Sequence, residues 1–247
     1  MSFDRYVYPG TNVLINKFGI VDMAAFTLME RVVSSASILD LHAEGVTGRF
    51  DRQHIQDIHL RIFGEVYDWA GEFRDIQIWK GGTEFAAPDE IPDKLDALCS
   101  SIQKAGYFQG LDRIGTANAL ADIMADLNLI HPFREGNGRT QRAFIGQLAL
   151  NAGYDLDFTK MSENDMRNAS MAANRNNRNL MRYLFRDAMS EKFYDLGPVR
   201  TAAPETPALP ETPKKPREQG AMARMKALFA GRRNAGSKQS GKSGPEF

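Results

Sequence analysis

The chain has 247 residues, of which 43% are hydrophobic and 25% are charged, as is usual for a globular protein. Its formal net charge of zero gives no electrostatic argument for direct, specific binding of nucleic acid. The single cysteine, Cys99, excludes an internal disulfide, and no run approaches the roughly 20 apolar residues of a membrane helix. The N-terminal sequence shows no charged-then-apolar leader, so we expect a bacterial cytoplasmic protein.

The first two predicted elements are helices. Residues 19–42 carry apolar side chains at helical spacing, and Asp22 can cap the N-terminus of that helix. Residues 51–73 place isoleucine, phenylalanine and valine side chains on one face, and Asp51 is a second N-cap candidate. Each helix is therefore expected to bury one face.

The next stretch, "RDIQIWKGGTEFAAP", has a different pattern. Ile78 and Lys80 alternate with polar or aromatic neighbours, and the pair Gly81-Gly82 follows them. Two short strands joined by a Gly-Gly pair are typical of a tight β-hairpin. We predict a hairpin over Ile76–Phe85.

Further helical segments follow the hairpin, so the predicted fold class is all-α with one short hairpin. Gly153 is expected to stop the third of these segments. The pair Asn176-Asn177 marks a break within the fourth. The segments are residues 89–107, 116–131, 138–156 and 162–194.

The helical pattern ends near Gly197. The sequence that follows is rich in proline and then in small polar residues, a composition that does not pack a core. It carries ten Lys/Arg against four Asp/Glu, so it is basic while the preceding part is acidic. We predict one domain over residues 1–197 and a linker with a basic, disordered tail over residues 198–247.

The stretch "HPFREGNGRTQR", residues 131–142, lies between two predicted helices. Gly136 and Gly138 allow positive φ and a close approach of the backbone to an anion. Free N–H groups at the start of the following helix attract negative charge. Arg139 and Arg142 are three residues apart on one helix face and can clamp phosphate oxygens.

The same stretch also contains a base and a metal ligand. His131 titrates near neutral pH and can take a proton from a hydroxyl. Glu135 supplies a carboxylate of the kind that holds Mg²⁺ beside phosphates. Together these residues indicate transfer of a phosphate-linked group to a hydroxyl. The alternative interpretation is a solvated, charged loop in which His131 only caps a helix.

These residues fit the Fic (filamentation induced by cAMP) motif, H-x-F-x-(D/E)-G-N-G-R-x-x-R, at every fixed position. The resemblance extends from about Pro9 to about residue 190 and includes "IFGEVYDWAGEFRDIQIWKGGTEFA". It implies a mainly helical Fic fold and a protein adenylyltransferase that moves AMP from Mg·ATP to a Ser, Thr or Tyr hydroxyl of a target protein. The phosphorylating Doc branch carries lysine at the position of Gly138, so this sequence resembles the AMP-transferring branch.

The resemblance assigns a role to each motif position. His131 would be the catalytic base, Glu135 the Mg²⁺ ligand and Phe133 a buried anchor. Gly136, Asn137 and Gly138 would form the phosphate nest, with the Asn137 side chain near the α-phosphate, and Arg139 and Arg142 would hold the outer phosphates.

Two further sites follow from the same resemblance. The hairpin resembles the family flap, which would dock the target segment through Ile78, Lys80, Gly81 and Gly82, although a plain surface hairpin has the same pattern. Asn176 and Asn177 fall where the family often builds its adenine pocket, although asparagine-rich turns are common.

Two other motifs are interpreted as coincidental. "GSKQSGKS", residues 236–243, fits G-x-x-x-x-G-K-(S/T), but no strand precedes it and almost no chain follows it. "TKMSEN" fits the family's inhibitory pattern (S/T)-x-x-x-E-(G/N), whose glutamate pairs with the final motif arginine, here Arg142. An N-cap at Thr159 or Ser162 explains that stretch equally well.

The resemblance leaves three functions open. In the first, the chain is the toxin of a toxin–antitoxin pair, with a small separate antitoxin and with type II topoisomerase subunits (DNA gyrase or topoisomerase IV) as targets. In the second, it is a type IV secretion effector whose basic tail serves delivery to another cell. In the third, it is a catalytically idle Fic-fold binding module.

Overall fold

The computed structural model of the chain describes residues 4–44 and 48–191. The predicted domain boundary near residue 197, the basic tail over 198–247 and the "GSKQSGKS" stretch lie outside the described residues.

The described part of the chain is mainly helical with two small antiparallel pairs of strands, which confirms the predicted fold class. In that part, no helix is long and apolar enough to cross a membrane. The helices are α1 (Met23–Glu44), α2 (Arg52–Phe63), α3 (Ile91–Lys104), α4 (Arg113–Ile130), α5 (Asn137–Asn151), α6 (Glu163–Ala173) and α7 (Asn179–Ala188). The strands are β1 (Trp79–Lys80), β2 (Thr83–Glu84), β3 (Tyr154–Leu156) and β4 (Met189–Glu191).

Helix α4 lies at the centre of the core. It packs against α3, α5 and α7, and its Leu120, Met124 and Leu127 side chains are almost fully buried. A helix that is apolar around most of its circumference has to be enclosed by neighbours in this way. The packing of α3, α5 and α7 around α4 therefore holds the C-terminal end of this helix, where the motif begins, in place.

The predicted helix caps are present. Asp22 accepts a hydrogen bond from the Ala25 amide at 2.8 Å, and Asp51 accepts one from the His54 amide at 2.9 Å. Ser162 caps α6 in the same way, which is the local explanation expected for "TKMSEN". Each cap satisfies an N–H group that the helix itself leaves without an acceptor.

Two predicted helices are too long. The segment over 51–73 is helical only to Phe63, because the chain folds back after Gly64 and the amide of Val66 bonds to the Phe63 carbonyl. The segment over 138–156 ends at Asn151. Gly153, with φ +94°, turns the chain there as expected, and the chain then enters β3, which pairs with β4.

The hairpin forms as predicted, and it is called the flap below (Ile76–Phe85). Trp79 pairs with Glu84, and Lys80 pairs with Thr83. Both turn residues have positive φ, +58° at Gly81 and +79° at Gly82, which suits the twist of a two-residue hairpin. The strands are only two residues long, so the flap is anchored mainly at its base.

Candidate active site

A cleft of about 1110 Å³ opens between the flap, the start of α5 and α6. The flap contributes Ile78, Lys80 and Gly81 to its wall, whereas Gly82 at the turn is not part of the lining. All motif residues expected to act on a nucleotide or a hydroxyl line this cleft, namely His131, Glu135, Gly136, Asn137, Gly138, Arg139 and Arg142.

His131 lies at the C-terminal end of α4 in a left-handed conformation with φ 49° and ψ 62°. Its Nδ1 is 3.1 Å from the carbonyl oxygen of Asn128, which can only accept, so Nδ1 carries the proton and Nε2 keeps its lone pair. The ring of Phe85 stacks on the imidazole at 3.9 Å with an interplanar angle of 12°. The flap therefore covers one face of the histidine ring.

The surroundings of His131 keep it neutral. Burial lowers the pKa of His131 to about 4, and the positive charges of Lys80 and Arg74 act in the same direction. The hydrogen bond to Asn128 and the charge of Glu135 oppose this shift only partly. At neutral pH the imidazole is therefore unprotonated, as a proton acceptor must be.

The loop between α4 and α5, residues 131–136, is called the motif loop below, and it depends on Gly136. This residue has φ +83°, and a Cβ atom there would lie 2.3 Å from Cε2 of the buried Phe63 ring. Only glycine fits that space. Gly138 does not have the expected positive φ, because it lies in the first turn of α5. A Cβ atom added there would meet only the Arg142 side chain, at 3.5 Å.

The start of α5 has the features that suit an anion. The helix begins at Asn137, so the N–H groups of its first turn have no intrahelical acceptor, and Asn137 and Gly138 both line the cleft. The Asn137 side chain, however, is turned into the motif loop. Its Oδ1 accepts from the Phe133 amide at 2.9 Å, and its Nδ2 donates to the Phe133 carbonyl at 2.7 Å. The backbone N–H of Asn137 is thus the group of this residue that is free for a phosphate, and the placement of its side chain near the α-phosphate stays a prediction.

The two motif arginines have different surroundings. Arg139 donates to Ser34 Oγ at 2.8 Å, forms an ion pair with Glu30 at 2.6 Å and lies over the Phe63 ring at 4.6 Å. It is therefore anchored on α1 and α2. Glu135 is a more distant partner of the same guanidinium, at 3.7 Å.

Arg142 has neither a hydrogen bond nor an ion pair with any described residue, so its planar fork is available to a ligand. Partial removal from solvent within the cleft and the nearby charge of Arg139 lower the pKa of Arg142, whereas Glu163 acts in the opposite direction. A guanidinium remains protonated at neutral pH despite such a shift. Glu163, the glutamate of "TKMSEN", thus shares the cleft with Arg142.

Glu135 has the properties of a partial metal site. Its side chain is about half exposed, and one carboxylate oxygen accepts from the Gly136 amide at 2.9 Å. Among the described residues, no cluster of three or more His, Cys, Asp or Glu side chains forms a complete metal site. One carboxylate beside an anion site nevertheless fits Mg²⁺, because this ion usually takes one or two carboxylates and completes its shell with phosphates and water.

Comparison with known proteins places this geometry in a family. A profile of the Fic/DOC family matches residues 49–149, which include α2, the flap and the motif loop. The protein adenylyltransferase VbhT of Bartonella schoenbuchensis is 35% identical over 190 residues, covering 77% of this chain but only 40% of VbhT. A Fic protein of Salmonella typhimurium is 32% identical over 190 residues and is covered to 93% of its length. The chain belongs to the Fic/DOC family.

A solved Fic structure shows the same fold. The crystal structure of BepC, a VirB-translocated effector of Bartonella tribocorum with bound AMPPNP, superposes with a TM-score of 0.72 at 28% identity. The match covers 76% of this chain and 97% of BepC. A Fic domain with this architecture thus binds an ATP analogue.

The adenine-pocket residues expected from the sequence are not in the Fic cleft. Asn176 and Asn177 lie exposed in the turn between α6 and α7, which confirms the predicted break, and Asn177 Oδ1 accepts from the Asn179 amide at 3.2 Å. Asn174, one turn earlier, does line the cleft. It donates to Thr83 Oγ1 at 2.9 Å, while its Oδ1 is buried with no hydrogen-bond partner in the described part of the chain.

The position of Asn174 could have been found from helical spacing. Residues at spacings of three and four along α6 share one face, and the α6 side chains that line the cleft follow that spacing. They are Glu163, Met166, Arg167, Ser170, Met171 and Asn174.

A second set of residues holds the Fic motif in place. Phe133 is fully buried, as expected of an anchor, and stacks on His59 at 3.8 Å. His59 accepts from the Gly71 amide at 2.8 Å, so its Nε2 donates to the Glu135 carbonyl at 3.0 Å. Burial lowers the pKa of His59 to about 3, which keeps it neutral in this role. Sequence reasoning missed His59 because no motif marks it.

Proposed function

We propose that this chain is a protein adenylyltransferase that moves AMP from Mg·ATP to a Ser, Thr or Tyr hydroxyl of another protein. The observation that carries the proposal is the neutral, partly buried His131, whose free Nε2 shares a cleft with the unpaired N–H groups at the start of α5. A base beside an anion site suits attack of a hydroxyl on a phosphate. The names of the relatives support AMP as the transferred group.

In the proposed reaction, Nε2 of His131 accepts the proton of the target hydroxyl. The hydroxyl oxygen then forms a bond to the α-phosphorus of ATP, the bond from that phosphorus to the bridging oxygen breaks, and pyrophosphate leaves. The backbone N–H groups of Asn137 and Gly138 and the guanidinium of Arg142 bind the phosphate oxygens. Glu135 would hold Mg²⁺, which offsets the charge on the leaving pyrophosphate.

Arg139 has a different part in the proposal. Because Glu30 and Ser34 fix its guanidinium, the positive charge of Arg139 is preorganised beside the phosphates, and its side chain loses little freedom when ATP binds.

Asn174 takes the place of Asn176 and Asn177 as the side chain that contacts the nucleobase, because its buried Oδ1 can accept a hydrogen bond.

The target segment would lie along the flap. Ile78 and Lys80 line the cleft on the first leg of the flap, with Gly81 at the turn. An extended peptide can add to such an edge through its main chain, which would hold its hydroxyl side chain over the α-phosphate.

In the cell, the enzyme would act in the bacterial cytoplasm as the toxin of a toxin–antitoxin pair. Type II topoisomerase subunits are the proposed targets, and a small separate antitoxin the proposed inhibitor. Ser162 caps α6, so the inhibitory-like stretch has a structural explanation within this chain. The alternative is an effector delivered by type IV secretion, which the similarity to VirB-translocated BepC favours.

Label transfer from ATP tests the proposed chemistry. We expect α-³²P-ATP with Mg²⁺ and bacterial lysate to label a protein band, and His131→Ala to reduce the rate by about 100-fold or more. Mass spectrometry of the band should show the added mass of an adenylyl group (AMP less water) and identify the target. Label from γ-³²P-ATP would point to kinase chemistry instead, and absence of any label would favour an idle binding module.

A further inference from the structure

Arg74 is a buried cation without a carboxylate partner among the described residues. Its side chain is 2% exposed, and all of its hydrogen bonds go to backbone carbonyl oxygens. Nε donates to His131 at 2.9 Å and Nη1 to Ile76 at 2.8 Å, while Nη2 donates to Ala86 at 2.5 Å and to Ile130 at 3.3 Å. One guanidinium therefore satisfies four carbonyl groups.

These carbonyls belong to two parts of the cleft, the end of α4 and the legs of the flap. Ile130 and His131 are at the C-terminal end of α4, where carbonyl groups lack intrahelical donors and attract positive charge. Ile76 and Ala86 flank the two strands of the flap. Arg74 thus joins the end of the helix that carries the base to both legs of the flap.

Two backbone hydrogen bonds also connect the end of α4 with the base of the flap. The Arg74 amide donates to the Pro132 carbonyl at 2.9 Å, and the Ala86 amide donates to the Leu129 carbonyl at 3.2 Å. Neither of these bonds involves His131, which is held in a left-handed conformation that residues with a Cβ atom rarely adopt. Arg74 is the group that binds the His131 carbonyl and the flap at once.

We infer that Arg74 is a positioning residue that sets His131 at a fixed distance and angle from the flap. The inference rests on the proposed AMP transfer, since the flap is there to hold the target hydroxyl over the α-phosphate. Arg74 lies outside the cleft lining, so it acts through His131 and through the flap legs rather than on ATP.

The test replaces Arg74 by lysine, which keeps the charge but cannot reach four carbonyls in different directions. Arg113→Lys is the matched control. Arg113 also donates to backbone carbonyls at a helix end, those of Arg186 at 2.7 Å and Met189 at 3.1 Å, but it does not line the cleft.

Three quantities are measured for wild type, R74K and R113K at a temperature where all are folded by circular dichroism. They are the affinity for Mg·AMPPNP, the rate of label transfer from saturating α-³²P-ATP to a fixed lysate, and amide hydrogen exchange. We expect R74K to lose about 100-fold in rate, the scale of a misplaced reacting group, with AMPPNP affinity within a factor of about three. Exchange should accelerate at residues 76–86 in R74K and not in R113K.

The inference is overturned if R74K transfers label as fast as R113K, or if rate and AMPPNP affinity fall together as in general damage to the cleft. Should R74K not fold, Arg74→Gln takes its place under the same criteria, since its amide can still donate to two carbonyls. Failure of the wild type to transfer label would defeat the proposed function. The exchange comparison would then still decide whether Arg74 ties the flap to α4.

Discussion

At the level of single residues, the Fic motif and the cleft are held in place by contacts with residues outside the motif. The motif side chains were found from the sequence because their types are concentrated in twelve consecutive residues. The residues that hold the motif and the cleft in place are distant from their partners in the chain. Arg74 is separated from His131 by 57 residues, His59 from Glu135 by 76 and Asn174 from Thr83 by 91. Only the packed fold brings these pairs together, so the sequence does not predict the pairs, although helical spacing along α6 places Asn174 on the cleft face.

The pH dependence of the reaction is a prediction at this scale. Because burial lowers the pKa of His131 to about 4, its imidazole should stay neutral well into the acidic range. We expect the rate of label transfer to be nearly constant from about pH 8 to about pH 5 and to fall with an apparent pKa near 4. An exposed histidine would lose activity around pH 6.5.

The measurement is the initial rate of transfer from α-³²P-ATP across that range, with circular dichroism at each pH. The effect of pH on folding stability is opposite to that of a histidine in a salt bridge, whose pKa is raised on folding. Since the pKa values of His131 and His59 are lowered on folding, the unfolded chain binds more protons below about pH 6.5, and stability falls as the pH drops. A rate that halves near pH 6.5 while the protein remains folded would contradict the assigned environment of His131.

At the level of elements, the sequence predicted best what is determined locally. The caps at Asp22, Asp51 and Ser162 and the turn at Gly81-Gly82 depend on neighbours within four residues, and they were placed correctly. The small β3–β4 sheet was missed because strands of three residues carry too little pattern and their partner lies far along the chain. The helix over 51–73 was overextended because apolar spacing continued past Gly64, where tertiary contacts turn the chain.

Gly136 in the motif loop and Gly138 in the first turn of α5 provide a matched pair of glycine substitutions. Gly136→Ala should destabilise the fold by about 1–3 kcal/mol, because its Cβ would meet the Phe63 ring and its φ is positive. Gly138→Ala should leave the melting temperature almost unchanged, because only the flexible Arg142 side chain is near. Thermal unfolding of both variants checks the difference.

The same pair separates stability from function. Gly138 lines the cleft at the start of α5, so its added methyl group should weaken the approach of phosphates and reduce label transfer in a protein that is still fully folded. Equal melting temperatures for the two variants would show that the motif loop is less tightly packed against Phe63 than the structure indicates.

At the level of the whole molecule, the similarity to Fic proteins covers about three quarters of the chain. The alignment with the Salmonella Fic protein covers 76% of this chain and 93% of that relative, so a chain of about this aligned length makes up nearly a whole Fic protein. The alignment with VbhT covers 77% of this chain and 40% of VbhT. The basic residues 198–247 are therefore proposed to serve something other than the chemistry of the cleft.

Removal of residues 198–247 tests this division. The shortened chain should transfer label from α-³²P-ATP to lysate proteins within about two-fold of the full chain, because within residues 4–44 and 48–191 the last residue that lines the cleft is Asn174. If the chain is a toxin, its effect on the growth of the cell that expresses it should also persist. If it is an effector, the shortened chain should keep its enzymatic rate but lose transfer into recipient cells, measured with a reporter enzyme fused to its N-terminus. Loss of label transfer on truncation would instead place residues 198–247 within the catalytic unit and contradict the proposed division.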